Sequence, residues 1–243
     1  MTHPSACDAS GQEAADGVPA ASMSADEPTV CARPPDRLNP ATTPGNPHRN
    51  VYAQGMAKAL LIVDVQNDFT EGGALGVTGG DRVAAGITRH LAAHAGDYDA
   101  IIASRDWHDA DSDNGGHFSD TPDFVDSWPV HCVAGTTGAE FDPLLDTAPI
   151  THEVRKGQGR PDYSAFQGIT ETGSRLGELL NDLTITEVDV VGIATDHCVR
   201  ASALDALTAG VAVRVLTDLV AGVGEDSSAA ALTEVEQAGA TLA

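Results

Sequence analysis

Positive charge is scarce in this sequence. Its 243 residues carry 13 Lys and Arg against 36 Asp and Glu, a formal net charge of −23. Nucleic acids and anionic lipid surfaces attract basic proteins, so this balance argues against both as partners. No apolar run approaches the ~20 residues that a membrane-spanning helix needs. We therefore expect a cytoplasmic protein without membrane contact, monomeric or homo-oligomeric, that acts on a small-molecule substrate.

Cysteine and lysine are scarce as well. The four cysteines include no CxxC pair, which excludes a disulfide framework and a zinc finger and favours reduced thiols. Two of them, Cys132 and Cys198, lie beyond residue 55. The lysines are Lys58 and Lys156. A lone lysine in the body of so acidic a domain makes Lys156 a candidate functional residue.

The chain divides near residue 55. Residues 1–55 are rich in Ala, Pro, Ser, Thr and Asp and nearly free of large apolar side chains, so they are predicted to be a disordered N-terminal extension. They lack the basic start and apolar core of a secretory signal. Met56 opens the first apolar segment and is an alternative start position. Residues 56–243 are long enough for one domain with its own core.

Short apolar runs alternate with amphipathic stretches through this domain. Strands are predicted at 60–63, 100–103, 151–155, 188–193 and 211–216, and helices at 81–95, 171–181, 199–209 and 225–238. A long polar loop is expected from 106 to about 142. Strands that alternate with helices form right-handed βαβ units, so we predict a three-layer α/β/α fold with a mainly parallel central sheet.

Polar candidates follow four of the predicted strands. Asp64, Asp106, Lys156 and Cys198 each stand at a strand end, and ligands of parallel sheets bind beyond these ends. Cys198 also precedes a helix, whose N-terminus favours a thiolate. Asp64 is flanked by apolar residues, which raises its pKa and makes it a better base. Lys156 would hold both groups as anions.

Each of these residues also has an ordinary interpretation. Asp64 suits a turn or a helix cap, Lys156 suits a solvated surface, and a free cysteine such as Cys198 is often a small buried hydrophobe. Cys132 lacks the strand-to-helix position, and we interpret it as structural.

The long polar loop carries a possible metal site. Side chains two apart in extended chain share a face, so Asp106 and His108 can grip one ion, and His117 and His131 follow in the same loop. One Asp and three His suit zinc, iron or manganese with positions left open. The alternative is a set of solvated loop side chains.

Several segments together resemble a known family. The segments are 64–69 (DVQNDF) with 71–73, the metal-loop segments 106–108, 116–119 and 127–133, and the segments 156–157 and 192–199. They resemble motifs of nicotinamidase/pyrazinamidase. These enzymes are isochorismatase-like cysteine hydrolases. The resemblance covers about residues 57–240. The DVQNDF and cysteine segments mark the superfamily, and the Asp/His loop narrows it to nicotinamidase.

The resemblance implies hydrolysis of nicotinamide, and of pyrazinamide, to the acid and ammonia through a thioester on Cys198. Asp64 would deprotonate the thiol and later protonate the departing ammonia, with Lys156 balancing the charge. Backbone N–H groups of Ala194 and Cys198 would hold the oxyanion. The family also has a cis peptide bond before the residue that matches Ala194.

The resemblance further implies one divalent metal ion, which would bind the pyridine nitrogen and orient the substrate. Its ligands would be Asp106, His108 and His131, with His117 as a further ligand. Phe69, Trp128 and Tyr163 match positions that wall the aromatic ring, although core packing would equally explain each of them.

Two other functions remain open at this point. A metal-independent amidohydrolase of a carbamoyl or ureido substrate would need Asp64, Lys156 and Cys198 but not the metal. A non-catalytic relative would only bind a metabolite or a partner subunit.

Overall fold

The computed structural model describes residues 57–243. The predicted extension 1–55 and the start position Met56 lie outside these residues, so both remain predictions. Within the described range the chain forms a seven-stranded sheet in the order β4-β3-β2-β1-β5-β6-β7. All neighbouring strands are parallel except β3 and β4, which are antiparallel.

The elements alternate along the chain. The strands are β1 Ala57–Val63, β2 Ala100–Asp106, β3 His152–Lys156, β4 Ile169–Thr170, β5 Ile185–Ile193, β6 Ala212–Ala221 and β7 Thr241–Leu242. The helices are α1 Gly80–His94, α2 Leu176–Asp182, α3 Arg200–Thr208 and α4 Glu225–Gln237. A π-helical turn, Thr195–Val199, joins β5 directly to α3.

The core lies on both faces of the sheet. Successive side chains of a strand point to opposite faces, and β1 places Leu60 and Ile62 against α1 while Leu61 and Val63 join the cluster formed with α2, α3 and α4. Burial on both faces explains why β1 reads as a continuous apolar run. The predicted three-layer α/β/α fold with a mainly parallel sheet is confirmed.

Two element boundaries differ from the prediction by five residues each. The helix expected at 171–181 begins only at Leu176, because the chain first turns back after β4 and Glu178 then caps the helix by accepting from the Arg175 N–H. The last long strand continues to Ala221 instead of ending at 216, because a register shift against β5 lets the polar residues around Asp218 stay in the strand. The two-residue strands β4 and β7 were not predicted.

This topology decides where the polar candidates lie. Strands β3, β2, β1 and β5 are consecutive in the sheet and parallel, so their carboxyl ends meet at one edge. Lys156 and Asp106 are the last residues of β3 and β2, Asp64 follows β1, and Cys198 lies in the π-helical turn after β5.

Among residues 57–243, no helix combines the length and the apolar character needed to cross a membrane. The cytoplasmic location expected from composition stays a prediction.

Gly192 tests how closely β5 approaches β1. Its φ is +119°, and a Cβ there would collide with the Val63 backbone carbonyl. Gly192→Ala should lower the free energy of unfolding by about 2–5 kcal/mol through backbone strain and overpacking. Gly210, with φ +83° and open space around it, is the matched control, and Gly210→Ala should cost only about 1–2 kcal/mol. Equal losses for the two variants in chemical denaturation would contradict the close approach.

Candidate active site

A buried ammonium lies at the centre of the sheet edge. Lys156 Nζ lies 3.0 Å from Asp64 Oδ2 and 3.6 Å from Cys198 Sγ. It also donates to Asp106 Oδ1 and to the Asp162 carbonyl oxygen. Lys156, Asp64 and Asp106 are all at most 2% exposed. The structure thus brings together the four strand-end residues singled out in the sequence.

Asp64 is placed to exchange a proton with the thiol. A carboxylate oxygen of Asp64, a carboxylate oxygen of Asp106 and the Sγ atom of Cys198 lie within 4.8 Å of one another. Ser104, on the adjacent strand, donates from its Oγ to Asp64 Oδ1 over 2.7 Å. Burial raises the pKa of Asp64, and the Lys156 ammonium opposes this effect. The sequence-based expectation of a desolvated carboxylate with a raised pKa is confirmed.

The surroundings of the thiol oppose its ionisation. Burial raises the pKa of Cys198 well above its usual value, Lys156 opposes this rise, and the carboxylates of Asp64 and Asp106 add to it. The expectation that the helix N-terminus favours a thiolate at Cys198 stays a prediction, and desolvation and the two nearby carboxylates oppose that effect. The thiol needs a base, and Asp64 is the neighbouring group that can act as one.

The ammonium keeps its charge in spite of its burial. Burial lowers the pKa of Lys156, but the carboxylates of Asp106 and Asp64 outweigh burial and raise the pKa well above its usual value. For Asp106, burial by itself would raise the pKa, but Lys156 and the neighbouring His108 hold that pKa well below its usual value. Asp106 is therefore a carboxylate.

Three histidines surround the free side of this carboxylate. One ring nitrogen each of His108, His117 and His131 lie within 4.8 Å of one another. Asp106 Oδ2 lies 3.7 Å from His108 Nε2 and 3.8 Å from His131 Nε2. Burial lowers the pKa of His117 to about 3, and it lowers that of His131 as well. His117 and His131 are thus neutral near pH 7, the form that binds metal.

Backbone carbonyls fix two of these rings. His108 Nδ1 lies 2.8 Å from the Gly157 carbonyl oxygen, and His131 Nδ1 lies 2.7 Å from that of Pro129. An Nδ1–H that donates to a carbonyl leaves the Nε2 lone pair free for a cation. His108 Nε2 is buried and has no hydrogen-bond partner among the described residues. Neutral imidazoles beside one carboxylate fit a divalent transition metal.

A cavity of about 400 Å³ opens onto the sulfur. The three aromatic residues expected to wall the substrate, Phe69, Trp128 and Tyr163, all line it. Trp128 Nε1 donates to the Tyr163 hydroxyl over 2.9 Å, which fixes the two rings relative to each other. Ala194 also lines the cavity, and the Ile193–Ala194 peptide bond is cis, as the resemblance implies.

Some residues of the site were missed in the sequence. Gln66 is fully buried and hydrogen-bonds the backbone of Asp106 on both sides, from Nε2 to its carbonyl oxygen over 2.9 Å and from its N–H to Oε1 over 2.8 Å. His197 lines the cavity and stacks on Tyr163. Ser104 could have been found from the sequence, because it is a polar residue inside an apolar strand. Nothing in the sequence marked Gln66 or His197 as site residues, apart from their place in the quoted segments.

The histidine cluster predicts metal binding by the full-length protein. After removal of bound metal, the protein should bind one equivalent of Zn²⁺. His131→Ala should weaken that binding about 10-fold or more, since it removes one ligand. His90→Ala is the control, because His90 stacks near His94 on α1, away from the cluster. Isothermal titration calorimetry measures both, and equal Zn²⁺ affinity of the two variants would contradict the site.

Known proteins resemble this chain in sequence. The family model described as the isochorismatase domain matches residues 58–243. Nicotinamidase/pyrazinamidase of Mycobacterium tuberculosis is 52% identical over 185 residues, which cover 76% of this chain and 97% of that protein. Nicotinamidase of Escherichia coli is 39% identical over 203 residues, covering 76% and 93% respectively.

Solved structures agree with the fold. An L. infantum protein in complex with nicotinate superimposes with a TM-score of 0.66 at 33% identity, covering 77% of this chain and 92% of that chain. Pyrazinamidase of Pyrococcus horikoshii in complex with zinc gives a TM-score of 0.64 at 34% identity, covering 76% and 98%. From the family model, the relatives and the shared fold, the chain belongs to the isochorismatase domain family.

Proposed function

We propose that the protein is a nicotinamidase that hydrolyses nicotinamide, and also pyrazinamide, to the carboxylic acid and ammonia. The observation that carries this proposal is the buried contact of Lys156 with Asp64 and Cys198 at the floor of an aromatic-lined cavity. The curated relatives that act on these amides support the same reaction.

The first half of the reaction forms a thioester. Asp64 takes the proton of the Cys198 thiol as the sulfur attacks the amide carbon, and the carbonyl electron pair moves onto oxygen. We assign the backbone N–H groups of Ala194 and Cys198 to this oxyanion. Asp64 then gives the proton to the amide nitrogen. The oxyanion electron pair re-forms the carbonyl as the C–N bond breaks, and ammonia leaves.

The second half releases the acid. Asp64 takes a proton from water, whose oxygen attacks the thioester carbon. The C–S bond breaks, and the sulfur regains a proton from Asp64. Lys156 keeps its charge throughout and stabilises whichever neighbour is anionic, the carboxylate or the sulfur. The second half thus returns the three residues to their starting protonation.

Four residues are assigned to a divalent cation, which we take to be zinc, iron or manganese: Asp106, His108, His117 and His131. When bound, this cation supplies a Lewis acid for the ring nitrogen of the substrate and so orients the amide. Phe69, Trp128 and Tyr163 flank the ring and exclude water from it.

The lining of the cavity separates this function from the alternatives. Among the residues described, its lining includes Phe69, Trp128 and Tyr163 but no Arg or Lys. A ureido or carbamoyl acid has no aromatic ring to pack against these three side chains, so a neutral aromatic amide is favoured. A protein that only binds a ligand would also have no need of a buried thiol, carboxylate and ammonium in contact.

The nucleophile is tested by Cys198→Ala. Without the sulfur no thioester can form, so ammonia release from nicotinamide should fall by at least about 10³-fold. Cys132→Ser is the matched control, because Cys132 is also a buried thiol but does not line the cavity. It should retain activity within a few-fold. Turnover by Cys198→Ala at the wild-type rate would disprove the thiol mechanism.

Substrate structure provides a second test. Nicotinamide and pyrazinamide should both release ammonia, whereas N-carbamoylglycine should react with a kcat/KM lower by on the order of 10³-fold, because it has no aromatic ring to pack between Phe69, Trp128 and Tyr163. An ammonia-release assay on the three compounds decides this. Comparable kcat/KM for N-carbamoylglycine would favour the ureido-hydrolase alternative.

A further inference from the structure

Behind the catalytic edge, four side chains form a chain of cation–π contacts. The Arg105 guanidinium carbon lies 4.7 Å from the Phe141 ring centroid and 4.8 Å from that of Trp107. The Arg155 guanidinium carbon lies 4.4 Å from the same Trp107 ring. We call Phe141, Arg105, Trp107 and Arg155 the arginine–aromatic stack.

The register of β2 and β3 relates this stack to the active site. Arg105 pairs with Arg155, and the next pair along the two strands is Asp106 with Lys156. Successive side chains of a strand alternate between faces, so the arginine pair and the catalytic pair lie on opposite faces of the same two strands. Both pairs are therefore held by the same short stretch of the β2–β3 pairing.

Two arginines directly opposite each other on neighbouring strands repel. Here Glu153 Oε1 accepts from both, at 2.6 Å from Arg105 and 2.6 Å from Arg155. Arg105 also donates to the Ala139 carbonyl oxygen over 3.2 Å. Glu153 thus bridges the two guanidinium groups and offsets their repulsion. The flat faces of both groups pack against the Trp107 ring.

Trp107 joins the stack to the proposed metal ligands. It stands between Asp106 and His108 in the chain, and its backbone N–H donates to the Lys156 carbonyl oxygen over 2.8 Å. Its side chain does not line the cavity of the active site. A tryptophan held by two guanidinium groups therefore fixes the backbone from which both neighbouring ligands project.

We propose that the arginine–aromatic stack is a positioning device that sets the geometry of Asp106 and His108 and hence the affinity for the metal. Trp107, Arg105 and Arg155 are positioning residues, since none of them touches the substrate cavity. The inference rests on the proposed function only in taking the Asp/His cluster to hold a divalent cation.

The test measures Zn²⁺ affinity of the full chain by competition with a chromophoric chelator. Trp107→Leu, which removes the π-face, should weaken Zn²⁺ binding by about 10–100-fold, the range typical of residues that orient metal ligands. Trp107→Phe keeps a ring and should stay within about 3-fold of wild type. At saturating Zn²⁺, Trp107→Leu should lower kcat more than it changes KM, because the ring-walling aromatics lie outside the stack.

Arg214→Gln controls for a loss of stability alone. Arg214 bridges β6 to β5 through two hydrogen bonds to Asp189, at 2.8 and 2.6 Å, and takes no part in the site. It should lower the thermal midpoint and leave Zn²⁺ affinity within about 2-fold. If Trp107→Leu behaves in the same way, the stack is merely structural and the inference is overturned.

Arg155→Lys keeps the inference testable if Trp107→Leu does not fold. It retains the charge but loses the planar guanidinium, so it should also weaken Zn²⁺ binding by several-fold. Unchanged affinity in this variant would overturn the inference. Failure of the wild-type protein to hydrolyse nicotinamide while it binds Zn²⁺ would instead disprove the proposed function and leave the stack's effect on affinity measurable.

Discussion

The site depends on one buried ammonium. Lys156 is 1% exposed, and burying an unpaired charge so completely would cost several kcal/mol. It is tolerated because two carboxylates contact it, that of Asp106 at the end of the neighbouring strand β2 and that of Asp64 just after β1. The same ammonium keeps Asp106 ionised for a cation and stands beside the sulfur of Cys198. A single charge therefore couples the proton chemistry to the metal ligands.

Hydrogen bonds between side chains and backbone groups hold the other polar residues of the site in place. Gln66 brackets the backbone of Asp106, and the carbonyl groups of Gly157 and Pro129 fix the tautomers of His108 and His131. These partners keep the ring nitrogens pointed at a common centre before any ligand binds. Preorganisation of this kind is what makes electrostatic and metal sites effective, since nothing must be reordered during the reaction.

Much of the fold was predictable because its signals are local. Buried strands with apolar residues on both faces, such as β1, alternate with amphipathic helices, and this pattern identified the layers and the sheet edge. The start of α2 was misjudged, because the amphipathic pattern from residue 171 is overridden by the pairing of β4 with β3. Local propensity and hydrophobic periodicity carry no information about such pairings between segments.

The sequence by itself determined which chemical groups are available, and the parallel βαβ pattern determined that Asp64, Asp106, Lys156 and Cys198 end at one edge. Only the tertiary structure decided that burial raises the pKa of the Cys198 thiol, because desolvation depends on everything packed around it. It alone also revealed the support from Gln66, Ser104 and the arginine–aromatic stack. Gln66 and Ser104 each act on a residue 40 positions away, and no local pattern encodes such a contact.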